Sequence, residues 1–209
     1  MLDLKPLEKK LEGMLDITLH YMGGAFDAYA SKEKIIEIDD DKVNEYESDI
    51  EEECLLLILK ERPFAGDLRK ITGIFKAVSD IERIGDHAED VSWCVSKLRK
   101  EEGFRPHPLI EKIIEKSYKM VVDSFASLEE EDANKANDVI IRDDEVDALY
   151  AEIVNDLANK KEVDGHDDGV SVYSLLLAKY AERVADHASN VAEWTIYIAN
   201  GMYKERVIL

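Results

Sequence analysis

Apolar residues recur every three or four positions along most of the chain, which is the spacing of one face of an α-helix. The first such series runs through Leu4, Leu7, Leu11, Met14 and Leu15. No run alternates between apolar and polar residues, so the pattern predicts no β-strand. It predicts an all-α protein with six long helices, over residues 4–29, 31–61, 65–100, 109–128, 132–160 and 169–200.

The lengths of these helices and of their connections predict how they pack. A helix of about 30 residues is roughly 45 Å long, and short connections favour antiparallel neighbours. Ser31 is the expected N-cap of the second helix. The segment GFRPHP at residues 103–108 contains one glycine and two prolines, a composition typical of a boundary. We therefore predict a tandem pair of antiparallel three-helix bundles, the first at residues 1–103 and the second at residues 107–209.

The two halves share sequence as well as pattern. The segment IERIGDHAEDV at residues 81–91 is nearly repeated one hundred positions later by AERVADHASNV at residues 181–191. A second pair, IDDDKVNEYE at 38–47 and IRDDEVDALY at 141–150, matches in the same way. These matches indicate an internal duplication. The small residues Gly85 and Ala185 stand at equivalent positions, where they allow a neighbouring helix to approach closely.

Each repeat places two carboxylates four residues apart, on one face of its helix. If the second and third helices of each half are neighbours, oxygen ligands from both converge. The candidate ligands are Asp40, Asn44, Glu82, Asp86 and Asp90 in the first half, and Asp143, Asp147, Glu182, Asp186 and Asn190 in the second. Such ligands suit Mg²⁺, Mn²⁺, Ca²⁺ or iron. Because asparagine replaces an acid at a different position in each half, two related but unequal sites are expected. The alternative is a solvated acidic face without an ordered metal.

Other polar residues near the repeats have more ordinary interpretations. His87 and His187 either pack at a helix interface, donate to a carboxylate or ligate metal directly. A ferritin-like di-iron centre uses Glu-x-x-His pairs, but Ile84 and Val184 stand where the glutamates belong. Arg83 and Arg183 are expected to pair with acids on an adjacent helix. Cys54 and Cys94 lack metal-ligand spacing and are expected to be buried, reduced thiols.

Composition restricts the partners of the protein. The 209 residues include 47 acidic and 27 basic side chains, giving a formal charge of -20. This charge disfavours binding to nucleic acid or to anionic membranes. No apolar run approaches the roughly 20 residues of a membrane span, and the N-terminus does not resemble a signal peptide. A cytoplasmic protein without direct membrane insertion is therefore expected.

The chain resembles the PhoU family of phosphate-uptake regulators. The resemblance rests on ERPFAGDLRKI followed by DIERIGDHAEDV in the first half, and on RDDEVDALY and AERVADHASNVAEWTIYIANG in the second. It implies tandem three-helix bundles that often form homodimers, and repeated acidic motifs that bind multinuclear iron or other divalent metals in some members. The ion remains open among Fe, Mn, Mg, Zn and Ca.

The resemblance also implies a function. Members are non-enzymatic adapters that act with the phosphate ABC transporter ATPase and a sensor histidine kinase. They negatively regulate phosphate uptake and phosphate-starvation signalling when phosphate is plentiful. Two alternatives stay open at this point: an accessory protein of a low-affinity phosphate permease, and a carboxylate-bridged metal storage or oxidation protein.

Overall fold

The helical periodicity of the sequence produces a helical protein. The structure is a computed structural model that describes residues 2–31, 35–102, 104–164, 168–204 and 206–207. In this part of the chain it contains seven helices: α1 (Lys5–Ala30), α2 (Asp41–Glu61), α3 (Gly66–Leu98), α4 (Pro108–Glu130), α5 (Ala133–Ile141), α6 (Asp143–Asp164) and α7 (Asp168–Asn200). Two short strands, β1 (Met202–Tyr203) and β2 (Arg206–Val207), follow them. The predicted all-α class is confirmed.

The start of α2 differs from the prediction. The helix begins at Asp41 rather than near residue 31, and Ser31 is instead the C-cap of α1. Residues 35–39 are not helical, and Ile36 packs against α1 at Gly24, where a Cβ atom would lie only 2.3 Å from Ile36 Cδ1. Clustered isoleucines have lower helix propensity, and acidic residues stabilise a helix N-terminus. These two effects place the start of the helix after the isoleucines.

The single helix predicted over residues 132–160 is divided. Its first part, α5, ends at Ile141, and α6 begins at Asp143 after the single residue Arg142. Three acidic residues open α6, an arrangement that favours a helix start. At the break, Arg142 forms an ion pair of 2.8 Å with Asp123 of α4.

The expectation of no strand is wrong at the C-terminus. Met202 pairs with Val207 and Tyr203 with Arg206 in an antiparallel hairpin. Each strand has two residues, which is too short to show an alternating pattern in the sequence.

The last helix of each half forms the centre of the molecule. In the first half α1 and α2 pack against α3, and in the second half α4, α5 and α6 pack against α7. The central helices α3 and α7 also pack against each other, so the buried apolar residues of both halves form one core. Cys54 and Cys94 are buried free thiols, as predicted, and burial raises the pKa of each to about 12. Within the described residues, no helix is both long and apolar enough to cross a membrane.

Candidate metal centre

A close helix contact positions the first acidic pair. Gly85 of α3 faces Val43 of α2, and a Cβ atom at Gly85 would lie 3.1 Å from Val43 Cγ1. This contact confirms the close approach that the small residue predicts. Asn44 follows Val43 on α2, next to this contact.

The first acidic cluster contains a carboxyl group with little solvent contact. Glu82 is buried, and its pKa is raised to about 7 by burial, by Asp86 and by Glu47 of α2, while Arg83 acts in the opposite direction. Asn44 Oδ1 is buried and has no hydrogen-bond partner in the described part of the chain. Asp40 is the N-cap of α2, where its side chain accepts a hydrogen bond of 3.0 Å from the Asp41 N–H.

The cation that partly neutralises this cluster is Arg83. Its Nη1 donates to Asp86 Oδ2 at 2.9 Å, and its Nε lies 3.3 Å from Glu82 Oε2. The predicted pairing of Arg83 with an adjacent helix is therefore wrong, because both partners belong to α3. The guanidinium is largely exposed, and ion pairs at such positions contribute little to stability.

The second acidic cluster combines α6 with α7. The pKa of Asp186 is raised to about 6 by burial and by the neighbouring acids Glu182, Asp143 and Asp147, against a lowering effect of Lys179. Burial is also the main cause that raises the pKa of Asp143. Asp143 Oδ1 is buried without a hydrogen-bond partner among the described residues. Burial, together with repulsion from neighbouring acids, thus favours the protonated form of Asp143 and Asp186.

The two clusters differ in their counter-charge. In the second, Lys179 Nζ donates to both Glu182 carboxylate oxygens at 2.6 and 2.5 Å, and lies 5.1 Å from the centre of the Tyr150 ring. The repeats align Lys179 with Ser79, and Tyr150 with Glu47. The first cluster therefore has an additional acid where the second has a tyrosine covered by a lysine.

Asp90 and Asn190 have polar partners outside these acidic groups. Asp90 Oδ2 is 3.1 Å from His87 Nδ1, and Asn190 Nδ2 donates to Asp80 Oδ1 at 3.1 Å. His187 Nδ1 approaches the same Asp80 oxygen at 2.9 Å. The structure thus brings Glu47 of α2 beside Glu82 and Asp86 of α3, and Asp143 and Asp147 of α6 beside Glu182 and Asp186 of α7. Asp40 caps the start of α2, and Asn44 lies next to Val43 on the same helix.

The histidines belong to the contact between α3 and α7 rather than to the acidic clusters. The ring centroids of His87 and His187 are 5.7 Å apart, which confirms the predicted packing at a helix interface. Burial lowers the pKa of His87, and His187 and Arg183 add to this effect while Asp90 opposes it. A neutral His87 is thereby favoured between the two halves.

The chemistry of both clusters fits a cation. Among the residues that the structure describes, the buried oxygens Asn44 Oδ1 on α2 and Asp143 Oδ1 on α6 have no hydrogen-bond partner. Each cluster also contains a carboxyl group with a raised pKa. A bound cation satisfies such oxygens and favours their ionised form. In the described part of the chain, however, no set of three or more His, Cys, Asp or Glu side chains has the arrangement of a formed metal site.

Sequence reasoning missed three residues of these regions. Glu47 follows Asn44 by three residues and Asp40 by seven, so the helical period places it on their face of α2. Lys179 precedes Glu182 by three residues and was detectable in the same way. Asp80 has no such signal, because its partners His187 and Asn190 come from the other half of the chain.

Comparison with known proteins places this fold in a family. A family profile described as the PhoU domain matches the chain twice, at residues 11–95 and 110–195. The chain belongs to the PhoU family. The sequence is 36% identical over 166 residues to the phosphate-specific transport system accessory protein PhoU homolog of Clostridium acetobutylicum, covering 78% of this chain and 74% of that protein. The corresponding PhoU homolog of Aquifex aeolicus is 38% identical over 162 residues, covering 78% of this chain and 73% of that protein.

Solved PhoU structures have the same architecture. The crystal structure of PhoU from Pseudomonas aeruginosa superposes with a TM-score of 0.86 at 28% identity, covering 95% of this chain and 98% of that chain. The phosphate transport system regulatory protein PhoU from Streptococcus pneumoniae has a TM-score of 0.81 at 24% identity, with 96% and 97% coverage, and shares the fold. The family resemblance inferred from the duplicated motifs is therefore confirmed.

Proposed function

We propose that this protein is a non-enzymatic regulatory adapter that restrains phosphate uptake and phosphate-starvation signalling. The observation that supports the proposal is the double PhoU-domain match together with relatives named as accessory proteins of the phosphate-specific transport system. In this role the protein is cytoplasmic, forms a homodimer and contacts the transporter ATPase and a sensor histidine kinase. Its net charge of -20 favours basic surfaces as its contact sites.

The same proposal assigns metal ions to the two acidic clusters. Asp40, Asn44, Glu82 and Asp86 would hold one group of ions, with Glu47 beside them, and Asp143, Asp147, Glu182 and Asp186 the other. The bound metal would neutralise the acids and stabilise the contact of α2 with α3 and of α6 with α7. Iron, manganese, magnesium, zinc and calcium are all candidates. Asp90 and Asn190 are left out because Asp90 pairs with His87 and Asn190 donates to Asp80.

Deletion of the gene tests the adapter function. In phosphate-rich medium we expect the deletion strain to take up more phosphate and to express starvation-induced genes, and the intact gene to reverse both changes. Co-purification with the transporter ATPase and the kinase would identify the complex. Normal uptake and normal signalling in the deletion strain would exclude the proposed role. A change confined to low-affinity uptake would favour the accessory role at a phosphate permease.

A further inference from the structure

The outward face of α2 carries an apolar surface at its C-terminal end. Leu55 is 50% exposed, Leu59 is 73% exposed, and Phe64 in the following turn is 87% exposed. Leu56 is exposed beside them. We call these four residues the leucine surface. Four large apolar side chains within ten residues form a patch of the kind that marks interaction sites, whereas single exposed apolar residues are common.

Helix geometry explains why this surface is free. Val43, Ile50 and Cys54 are buried against the core and define the inward face of α2. At 100° per residue, Leu55, Leu56 and Leu59 point to the opposite side. In the described part of the chain α2 packs against α1 and α3 and no other helix. Among the described residues, the leucine surface therefore lies outside the buried core.

The remainder of the outward face is acidic. α2 contains eight acidic residues and two lysines in its 21 residues. Glu45, Asp49 and Glu52 are exposed and lie on the same side as the leucines, one to three turns before them. The surface thus changes along one helix from acidic to apolar, which defines the charge and the polarity that a partner must present.

We propose that the leucine surface and the adjoining acids Glu45, Asp49 and Glu52 bind an amphipathic helix of a partner protein. That helix has leucine-like residues at one end of its contact face, and lysine or arginine at the other. A helix laid along α2 can match both regions at once, as apolar anchors and charge complementarity do in other helix contacts. This inference rests on the proposed adapter function, because it supplies the partner surface of the adapter.

Charge argues against two other occupants. In a two-fold contact between two copies of this face, the acidic region of one copy meets either the acidic region or the leucines of the other. Neither arrangement supplies the positive charge that the acids need, since α2 has only two lysines. An anionic membrane surface repels the same acids. A basic partner segment is the occupant that satisfies both parts of the surface.

Because these residues are exposed, they can be replaced without disturbing the core, and other exposed apolar residues provide a matched control. The test variant is Leu55→Ser with Leu59→Ser. The control is Ile141→Ser with Val172→Ser, because these residues are 70% and 47% exposed and lie on α5 and α7. Neither pair belongs to the core, so equal far-UV circular dichroism is expected. The probe is a synthetic helical peptide of about 18 residues with leucines on one half of its contact face and lysines on the other, labelled for fluorescence anisotropy.

The peptide measurement has defined outcomes. At about 0.15 M salt we expect the wild type and the control variant to bind the lysine peptide equally, within about twofold. The leucine variant should bind at least about tenfold more weakly, since anchor side chains dominate such contacts. A peptide with glutamate in place of lysine should also bind at least about tenfold more weakly. Equal binding by the wild type and the leucine variant would overturn the proposal.

Two further measurements test whether a second copy of the chain or a membrane occupies the leucine surface instead. Conversion of a dimer to a monomer by the leucine substitutions, seen in sedimentation velocity, would assign the surface to a second copy. Co-sedimentation of the wild type, but not the leucine variant, with vesicles of phosphatidylglycerol and phosphatidylcholine would assign it to a membrane. Either result overturns the proposal, and the absence of both supports it.

Complementation separates this inference from the adapter function. If the deletion strain shows no change in phosphate uptake or signalling, the adapter function fails while the peptide result still decides the binding surface. If the deletion has an effect, the control variant should restore regulation and the leucine variant should not. Full complementation by the leucine variant would contradict the docking surface and leave the adapter function intact.

Discussion

Glu82 is the residue that most directly links the fold to the proposed metal. Burial, Asp86 and Glu47 raise its pKa to about 7, from an ordinary value of 4.5. The folded protein therefore binds a proton at Glu82 more tightly than the unfolded chain does. As a consequence, the contribution of Glu82 to the free energy of unfolding of metal-free protein should fall as pH rises from about 4.5 to about 7, where the folded protein loses this proton.

This prediction is checked by urea unfolding of chelator-treated protein at pH 5 and pH 7.5. We expect lower stability at pH 7.5, a smaller difference between the two pH values in Glu82→Gln, and a smaller difference in the wild type when a divalent cation is present. Glu89→Gln is the matched control, because Glu89 is an exposed glutamate of the same helix. An unchanged pH difference in Glu82→Gln would contradict the assignment of this dependence to Glu82.

At the level of the elements, the close contact of α2 with α3 determines the geometry of the first cluster. Gly85→Leu places a side chain against Val43, where even a Cβ atom would lie 3.1 Å from Cγ1. We expect a loss of about 1 to 3 kcal/mol in the free energy of unfolding, typical of overpacking, and weaker cation binding because α2 is pushed away from Glu82.

Gly66→Leu serves as the control for this substitution, since a Cβ atom at Gly66 would meet nothing within 4 Å. Both free energies are measured by urea unfolding, and cation binding by calorimetric titration with Mn²⁺. Equal stability and equal cation binding in the two variants would show that the separation of α2 from α3 does not control the cluster.

The elements also show how far the sequence predicts the structure. α3 and α7 lie within two residues of their predicted bounds because their apolar period is continuous. The start of α2 and the division at Arg142 were missed, since acidic residues and tertiary contacts override the period there. Six of the candidate ligands lie close to another candidate: Glu82 and Asp86 on α3, and Asp143, Asp147, Glu182 and Asp186 on α6 and α7. Asp90 instead pairs with His87 of its own helix, and Asn190 donates to Asp80 of α3. Periodicity gives the face of a helix, but not the neighbour that it meets.

For the whole molecule, the shared core determines how the two halves unfold. α3 packs against α7, and apolar residues of both halves form one buried cluster. We therefore expect a single cooperative transition, because neither half can open without exposing part of this core.

The two tryptophans test this expectation separately in each half. Trp93 lies on α3 and Trp194 on α7, so Trp194→Phe and Trp93→Phe each leave one reporter. Within each variant, fluorescence and far-UV circular dichroism should give the same urea midpoint, even if the substitution itself changes the stability. A fluorescence midpoint that departs from the dichroism midpoint in either variant would instead support two independently unfolding bundles at residues 1–103 and 107–209.

The metal content of protein purified without chelators tests the central claim most directly. Elemental analysis should find bound iron or divalent metal in the wild type, and a large loss when Glu82, Asp86, Glu182 and Asp186 are all replaced by alanine. Far-UV circular dichroism should stay unchanged, and replacement of the exposed i,i+4 pair Glu45 and Asp49 should leave the metal content as in the wild type. A wild type without metal, or equal metal content in the wild type and the fourfold variant, would contradict the account.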